Sequence, residues 1–322
     1  MNFKIQIVIV FIIYLLLITL FAGAILLFKS KKLKSIHRYI ISGILLACCL
    51  MLVNSIWFER YFIQTNYHQI LDTNINTKIA LIADIHAGGW KSKSFVEQIV
   101  VKLNQIPDLD IVLMAGDWTY YPDKNQLENI FSPLKDLEVP IYGVLGNHDV
   151  EFPGKPIRKE LTETLLKNNV KLIDNEVVKT KGITLVGLGS YWANEDKTDI
   201  LENIDLSEFT IILAHNPDTT LNYSQNFRSN VKNAKAKVLT LSGHTHCGQI
   251  RIPYIYKTQL PVVDKYYDKG WYADLKGVGF FDKVDNGNGS IQSGKLFITC
   301  GVGEVALPLR FLNPAVIDIF EL

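Results

Sequence analysis

Charge of either sign is absent from Ile5 to Phe28. Roughly 20 apolar residues suffice to cross a bilayer as a helix, which excludes a solvated start to the chain and predicts a first membrane span at 5–28. The run has no small-x-small cleavage site before the lysines that follow, and it exceeds the roughly 7 to 15 apolar residues of a secretory leader. Retention as an anchor is therefore expected. Cysteine is scarce: Cys48 and Cys49 lie in a second apolar run, Cys247 beside a histidine cluster and Cys300 near the end. That distribution resembles no disulfide framework and offers no thiolate cluster for a structural zinc. A basic surplus is missing too, the formal net charge being +1, which leaves no electrostatic footprint for a nucleic acid. Internal repeats and low-complexity tracts are also lacking.

The second uncharged run, from Tyr39 to Phe58, is just long enough to span, with Trp57 and Tyr61 where aromatic rings favour the headgroup boundary. Residues 1–73 then form a membrane anchor of two helices. Lys29, Lys31, Lys32, Lys34 and Arg38 lie between the spans, against Lys4 and Arg60 at the opposite ends. The positive-inside rule assigns that basic loop to the cytoplasm and the domain from 74 to 322 to the other face. A second run lying flat in the interface would reverse the assignment.

The domain has the mixed charge, turn residues and aromatics of a soluble fold with a sizeable core. Apolar runs of strand character are expected at Lys78–Ala83, Asp110–Ala115, Pro140–Leu145, Thr210–Ala214 and Lys237–Ser242. Helical stretches at Ser94–Asn104, Asn125–Leu137 and Ile157–Asn168 separate the first three, which implies crossovers and a largely parallel sheet. A second set of strands is expected at Lys171–Val178, Ile183–Leu188, Leu296–Thr299 and Ala315–Phe320. The fold class is α/β, with two packed mixed sheets flanked by helices behind a helical hairpin. Residues 253–293 are long for a connection and rich in aromatics, so they are read as a lid or substrate-binding insertion, or as rings that pack the flank or rest on the membrane.

Five predicted strands end in metal-type donors: Asp84-Ile85-His86, Gly116-Asp117, Gly146-Asn147-His148-Asp149, His215, and Gly243-His244-Thr245-His246. Loops at the carboxyl edge of such a sheet converge, so these distant residues can meet. Of the seven histidines only His37 and His68 lie elsewhere. Continued strand alternation would turn Asp84 with His86, and His244 with His246, toward one pocket. Carboxylate and imidazole suit zinc, manganese or iron, and a cation pair about 3.5 to 4 Å apart can clamp a phosphoryl group. Asp117, with two oxygens, is the expected bridge.

This ordered set resembles that of the calcineurin-like metallophosphoesterase superfamily, over about Lys78 to Leu322. It is most similar to a bacterial membrane-associated branch in which Gly-His-Thr-His runs on into Gly-Gln-Ile-Arg, here Gly243 to Arg251 with Cys247 inserted where relatives often have glycine. The resemblance implies the family's four-layer sandwich and two divalent metal ions. One ion would be held by Asp84, His86, Asp117 and His246, the other by Asp117, Asn147, His215 and His244. His148 would contact the phosphoryl oxygen or protonate the leaving group, with Asp149 orienting it. Arg310, after a glycine-rich turn, either contacts substrate phosphate or is a surface ion-pair partner. Cys247 is a small hydrophobe without duty, or a soft, oxidisable ligand. Tyr191 and Trp192 line the pocket or merely pack.

The implied activity is hydrolysis of a phosphodiester, phosphomonoester or pyrophosphate by in-line attack of a metal-activated hydroxide, in a multi-pass protein of the bacterial inner membrane. The expected partners are the bilayer and a phosphorylated, lipid-linked or envelope substrate. Alternatives are a pyrophosphatase for a UDP-linked diacylglucosamine, which needs a cytoplasmic site, and a non-catalytic metal-binding scaffold.

Overall fold

The computed structural model describes all residues except 1–2, 31–33, 72, 151–156, 234–236, 264, 275–280, 285–288 and 291–294. The chain opens with two antiparallel apolar helices, α1 (Phe3–Lys29) and α2 (Ser35–Val53), the second prolonged by a π turn at Asn54–Phe58. At 1.5 Å per residue the 27 residues of α1 reach about 40 Å, more than the hydrocarbon thickness of a bilayer. Their apolar side chains are mostly exposed, as an anchor requires and a soluble core helix does not.

The next strand corrects the expected boundary at residue 73. Residues Ile63–Leu71 form β1, which pairs in parallel with the last strand from Ile63 opposite Ala315 to Gln69 opposite Glu321. The domain therefore begins about ten residues earlier, directly after the hairpin. Among the described residues, apart from a short parallel pair at Ala87–Gly88 and Thr119–Tyr120, thirteen further strands follow: β2 (Lys78–Ile82), β3 (Ile111–Ala115), β4 (Ile141–Val144), β5 (Val170–Leu172), β6 (Val177–Thr180), β7 (Ile183–Leu188), β8 (Thr210–Ala214), β9 (Val238–Ser242), β10 (Gly270–Asp274), β11 (Phe281–Val284), β12 (Gly289–Ser290), β13 (Lys295–Ile298) and β14 (Ala315–Glu321). The first sheet has the order β12-β1-β14-β2-β3-β4-β5, the second β11-β10-β13-β9-β8-β7-β6. Strands β2 to β5 run parallel in the first sheet, and β7, β8, β9 and β13 in the second.

Period-two alternation builds the layers. In β2 and β3, Ile79, Leu81, Ile111 and Leu113 face the second sheet, while Ala80, Ile82, Val112 and Met114 face α3 (Lys93–Asn104), α4 (Leu127–Phe131) and α5 (Arg158–Lys167). On the far side Val186, Leu188, Ile212 and Ala214 meet Phe227 and Val231 of α6 (Gln225–Asn233). The result is the expected helix–sheet–sheet–helix sandwich.

Three further expectations change. The single strand at Lys171–Val178 is two, β5 and β6, because a turn carries the chain from one sheet to the other. The helix at Asn125–Leu137 is reduced to α4 between two 3-10 turns, Pro133 opening the second. The described part of 253–293 is only half a cover: residues after Gly270 extend the second sheet through β10, antiparallel to β13, while the loop before it lies over the site. The rest of that segment lies outside the described residues.

Candidate metal centre

The strands stop short of the expected ligands. β2 ends at Ile82 and β9 at Ser242, so Asp84, His86, His244 and His246 stand in tight turns. Their φ angles are +57°, +49°, +68° and +47°, and that of Asp117 is +54°. Left-handed backbone is uncommon for such residues and persists only where the surroundings over-determine it. The shared pocket thus arises from turns, correcting the expectation of strand alternation. Glycines give these turns room: a Cβ on Gly146 would lie 2.1 Å from Asp117 Oδ1, and one on Gly243 2.7 Å from Asp84 Oδ2.

Two groups of buried donors result, Asp84 with His86 and His246, and Asp117 with His215 and His244. In the first, His86 Nε2 and His246 Nε2 are 3.0 Å apart, with Asp84 Oδ1 at 3.9 and 3.7 Å from them. In the second, His215 Nε2 lies 3.1 Å from His244 Nδ1 and 3.0 Å from Asn147 Oδ1. Asp117 Oδ2 stands between the groups, 3.4 Å from His86 Nε2 and 3.3 Å from His215 Nε2. The other Asp117 oxygen accepts the His148 backbone N–H at 2.9 Å.

The outer faces of the rings fix the nitrogens that point inward. His215 Nδ1 lies 2.8 Å from Ala115 O, His86 Nδ1 3.3 Å from Thr119 O, and His244 Nε2 2.6 Å from Pro261 O. Carbonyls in these positions select a tautomer and leave a lone pair toward the centre. Pro261 belongs to the loop over the site, which ties that loop to one candidate ligand, His244.

Electrostatics agree with the chemistry of the donors. Burial pushes His86 and His244 down to about 3 and His246 well below its usual range, so these imidazoles are neutral, the form that binds a cation. His215 moves the other way, to about 9: burial opposes its charge, but the Asp117 carboxylate outweighs burial. Burial likewise works against ionised Asp117, and His215 and His148 hold it well below the carboxylate range regardless. Asp84 rises to about 7 through burial, which His215 offsets only in part. Four imidazoles, carboxylates and an amide oxygen, buried and facing inward, fit two borderline divalent cations and give no thiolate to a softer one.

Several role assignments change. Asp149 does not orient the His148 ring: its carboxylate accepts from the backbone of Trp118 (3.1 Å), Thr119 (3.0 Å) and Gly146 (2.9 Å) and from the Thr119 hydroxyl (2.9 Å). It holds the Asp117 and Asn147 turns together. Arg310 does not reach a substrate or the surface, being fully buried with its guanidinium donating to the carbonyls of Cys300, Gly301, Gly303, Asn313 and Pro314. It braces the turn whose Gly303 N–H reaches Asp84 O at 2.7 Å. Cys247 is neither idle nor a ligand, because it forms a disulfide with Cys300 that ties the His246 turn to the end of β13. Trp192 stands edge-on to His244, ring centroids 4.7 Å apart, and His148 is the half-buried member of the constellation. Tyr120 was not anticipated. Its ring meets His86 at 5.5 Å and His148 at 5.1 Å, and nothing in the sequence distinguishes it from other tyrosines.

A two-sheet sandwich with paired carboxylate and imidazole groups at its turns defines the metal-dependent phosphoesterase class. The chain belongs to the calcineurin-like phosphoesterases, whose family profile matches residues 77–248, more than half of its length. It is 32% identical over 255 residues to an uncharacterized metallophosphoesterase of Helicobacter pylori strain J99, the match covering 76% of this chain and 59% of that protein. The chain thus spans about 59% of that relative's length. It is 29% identical over 229 residues to phosphodiesterase YaeI of Escherichia coli K12, covering 67% of this chain and 77% of that one. It is also 27% identical over 282 residues to the uncharacterized metallophosphoesterase YkuE of Bacillus subtilis strain 168, covering 83% of this chain and 87% of that one.

Proposed function

We propose that this chain is a membrane-anchored phosphoesterase that uses two divalent cations, manganese, zinc or iron, to cleave a phosphodiester, phosphomonoester or pyrophosphate of a lipid-linked or envelope substrate. The observation that carries the reading is the position of Asp117, one oxygen of which is nearly equidistant from a histidine of each donor group. Asp84, His86 and His246 would hold one cation, Asn147, His215 and His244 the other, with Asp117 shared. Such a pair, when bound, would neutralise phosphoryl oxygens and acidify water. His148, half-buried with its ring edge-on to His86, would donate a proton to the leaving oxygen. The turns exclude bulk water, which strengthens every charge interaction inside.

A substrate at a membrane surface is favoured by what surrounds the hairpin. Arg310 N–H donates to Ser55 O at 3.1 Å, and Arg251 N–H to Phe311 O at 2.9 Å, so the loops at 250–256 and 305–312 adjoin the end of α2. Ile252, Tyr254, Ile255, Leu312, Phe58 and Phe62 are exposed there, Tyr254 at 94%. Large apolar groups in such an array suit a bilayer boundary better than water. An outward-facing domain is supported by the basic loop at 29–38 and by the Cys247–Cys300 disulfide, since disulfides persist in oxidising compartments.

The full chain in detergent micelles should release p-nitrophenol from bis-p-nitrophenyl phosphate with Mn(II). Asp117→Asn should lose at least about 10²-fold in kcat, the scale of a lost electrostatic clamp. His148→Ala should lose about 10²-fold or more, as expected of a missing general acid. Undiminished turnover in both variants would sink the catalytic reading and favour a metal-binding scaffold.

A further inference from the structure

The ends of the hairpin nearest the domain do more than tether it. Gln6 of α1 is fully buried, and its side-chain amide donates to the Tyr120 hydroxyl. That hydroxyl also accepts the Ala306 N–H at 3.2 Å, while the Tyr120 ring lies against His86 and His148. One turn earlier Phe3 packs on Trp90 and Tyr121, with centroids 5.1 and 5.2 Å away. Gly89 lies so close beneath that a Cβ would come within 2.8 Å of the Phe3 ring.

A second set of contacts comes from the end of α2. Glu59 accepts the Asn313 N–H, and the Asn313 side chain donates to His246 O at 2.6 Å. Arg60 pairs with the fully buried Glu304, which also lies 3.1 Å from Lys91 Nζ, and Lys91 donates to Arg60 O at 2.7 Å. Glu304 follows Gly303, the residue bonded to Asp84 O. Both helices thus touch groups that touch candidate ligands or His148.

A polar glutamine in an apolar span is costly unless it has a partner, and here it bonds to the hydroxyl of Tyr120, whose ring lies against His148. A mere tether needs no such contact. We propose that the hairpin is a positioning part of the active site: Gln6 fixes Tyr120, and Tyr120 fixes the rings of His148 and His86. The inference rests on the phosphoesterase reading above and deepens it, since turnover then depends on α1 being seated against the domain.

The test uses the full chain in micelles, with Mn(II) and bis-p-nitrophenyl phosphate. Gln6→Leu keeps the span apolar and Tyr120→Phe keeps the ring; both remove the Gln6–Tyr120 hydrogen bond, and Tyr120→Phe also removes the acceptor of the Ala306 N–H. Each is expected to lower kcat about 10-fold with KM within about twofold, and the double variant should be no slower than either single one, as for residues acting as a unit. Thr19→Leu, an exposed change in the same helix whose hydroxyl bonds to Leu15 O, should leave kcat unchanged. A Gln6→Leu enzyme within about twofold of the parent kcat, or losses that multiply in the double variant, would overturn the inference while the parent's activity leaves the phosphoesterase reading standing. A parent without Mn(II)-dependent turnover would overturn both.

Discussion

At the scale of single residues, the candidate site depends on which carboxylates face imidazoles and which face N–H groups. Asp117 faces imidazoles, while Asp149, two residues after Asn147, faces only donors. In Asp149→Asn an amide NH₂ must confront N–H or O–H groups, leaving buried donors unpaired, and the expected cost is about 1–3 kcal/mol in denaturant unfolding. A role in orienting His148 would instead leave stability intact and shift the pH profile of turnover. Asp174 gives a pH-dependent counterpart. Burial raises its pKa to about 6 despite the Leu145 N–H it accepts. Because the folded value exceeds the unfolded 3.8, the contribution to stability is complete below about pH 4 and is lost as pH rises through 6. Asp174→Asn should therefore match the parent at pH 4 and gain about 1–2 kcal/mol by pH 7, after allowance for solvent screening. Equal differences at both values would refute the linkage. Neither aspartate's surroundings were legible from the sequence. The motif showed that Asp149 belongs to the site, but its direction is set by backbone groups of Trp118 and Thr119, some thirty residues away.

At the scale of elements, strand identity and the order of the motifs were readable because the central parallel strands are short apolar runs buried on both faces, as at Ile111–Ala115 and Val238–Ser242. Strand β1 was not readable. Its sequence, Ile63-Gln-Thr-Asn-Tyr-His-Gln-Ile-Leu71, is largely polar, and its partner is the last strand of the chain. The disulfide was hidden for a related reason, since its cysteines are 53 positions apart and meet only once the His246 turn lies beside β13. That cross-link closes a long loop and should stabilise by about 2–4 kcal/mol in the loop-entropy picture. A Cys247→Ser, Cys300→Ser double variant should lose that much, and should also bind Mn(II) more weakly, because the freed turn carries His246. Unchanged thermal stability under oxidising conditions would count against the bond contributing to the fold.

At the scale of the whole molecule, the hairpin, the disulfide and the loop charges bear on one question that the proposed function raises, the side of a membrane on which the candidate metal site would lie. Both ends of the hairpin that contact the domain, Phe3 with Gln6 and Ser55 with Arg60, lie opposite the loop that holds the basic cluster. The domain and that loop are therefore on opposite faces if the helices span, and positive charge favours the cytoplasm for the loop. A reporter should not be inserted at Thr73, between two strands of one sheet, but can follow Leu322, which is partly exposed just beyond β14. Alkaline phosphatase fused there should be active and a green fluorescent protein dark, and Cys247 and Cys300 should resist alkylation in intact cells until a reductant is added. A fluorescent, phosphatase-negative fusion would put the metals in the cytoplasm. The disulfide would then lie in a reducing compartment, and a nucleotide-linked lipid would replace an envelope polymer as the better substrate class.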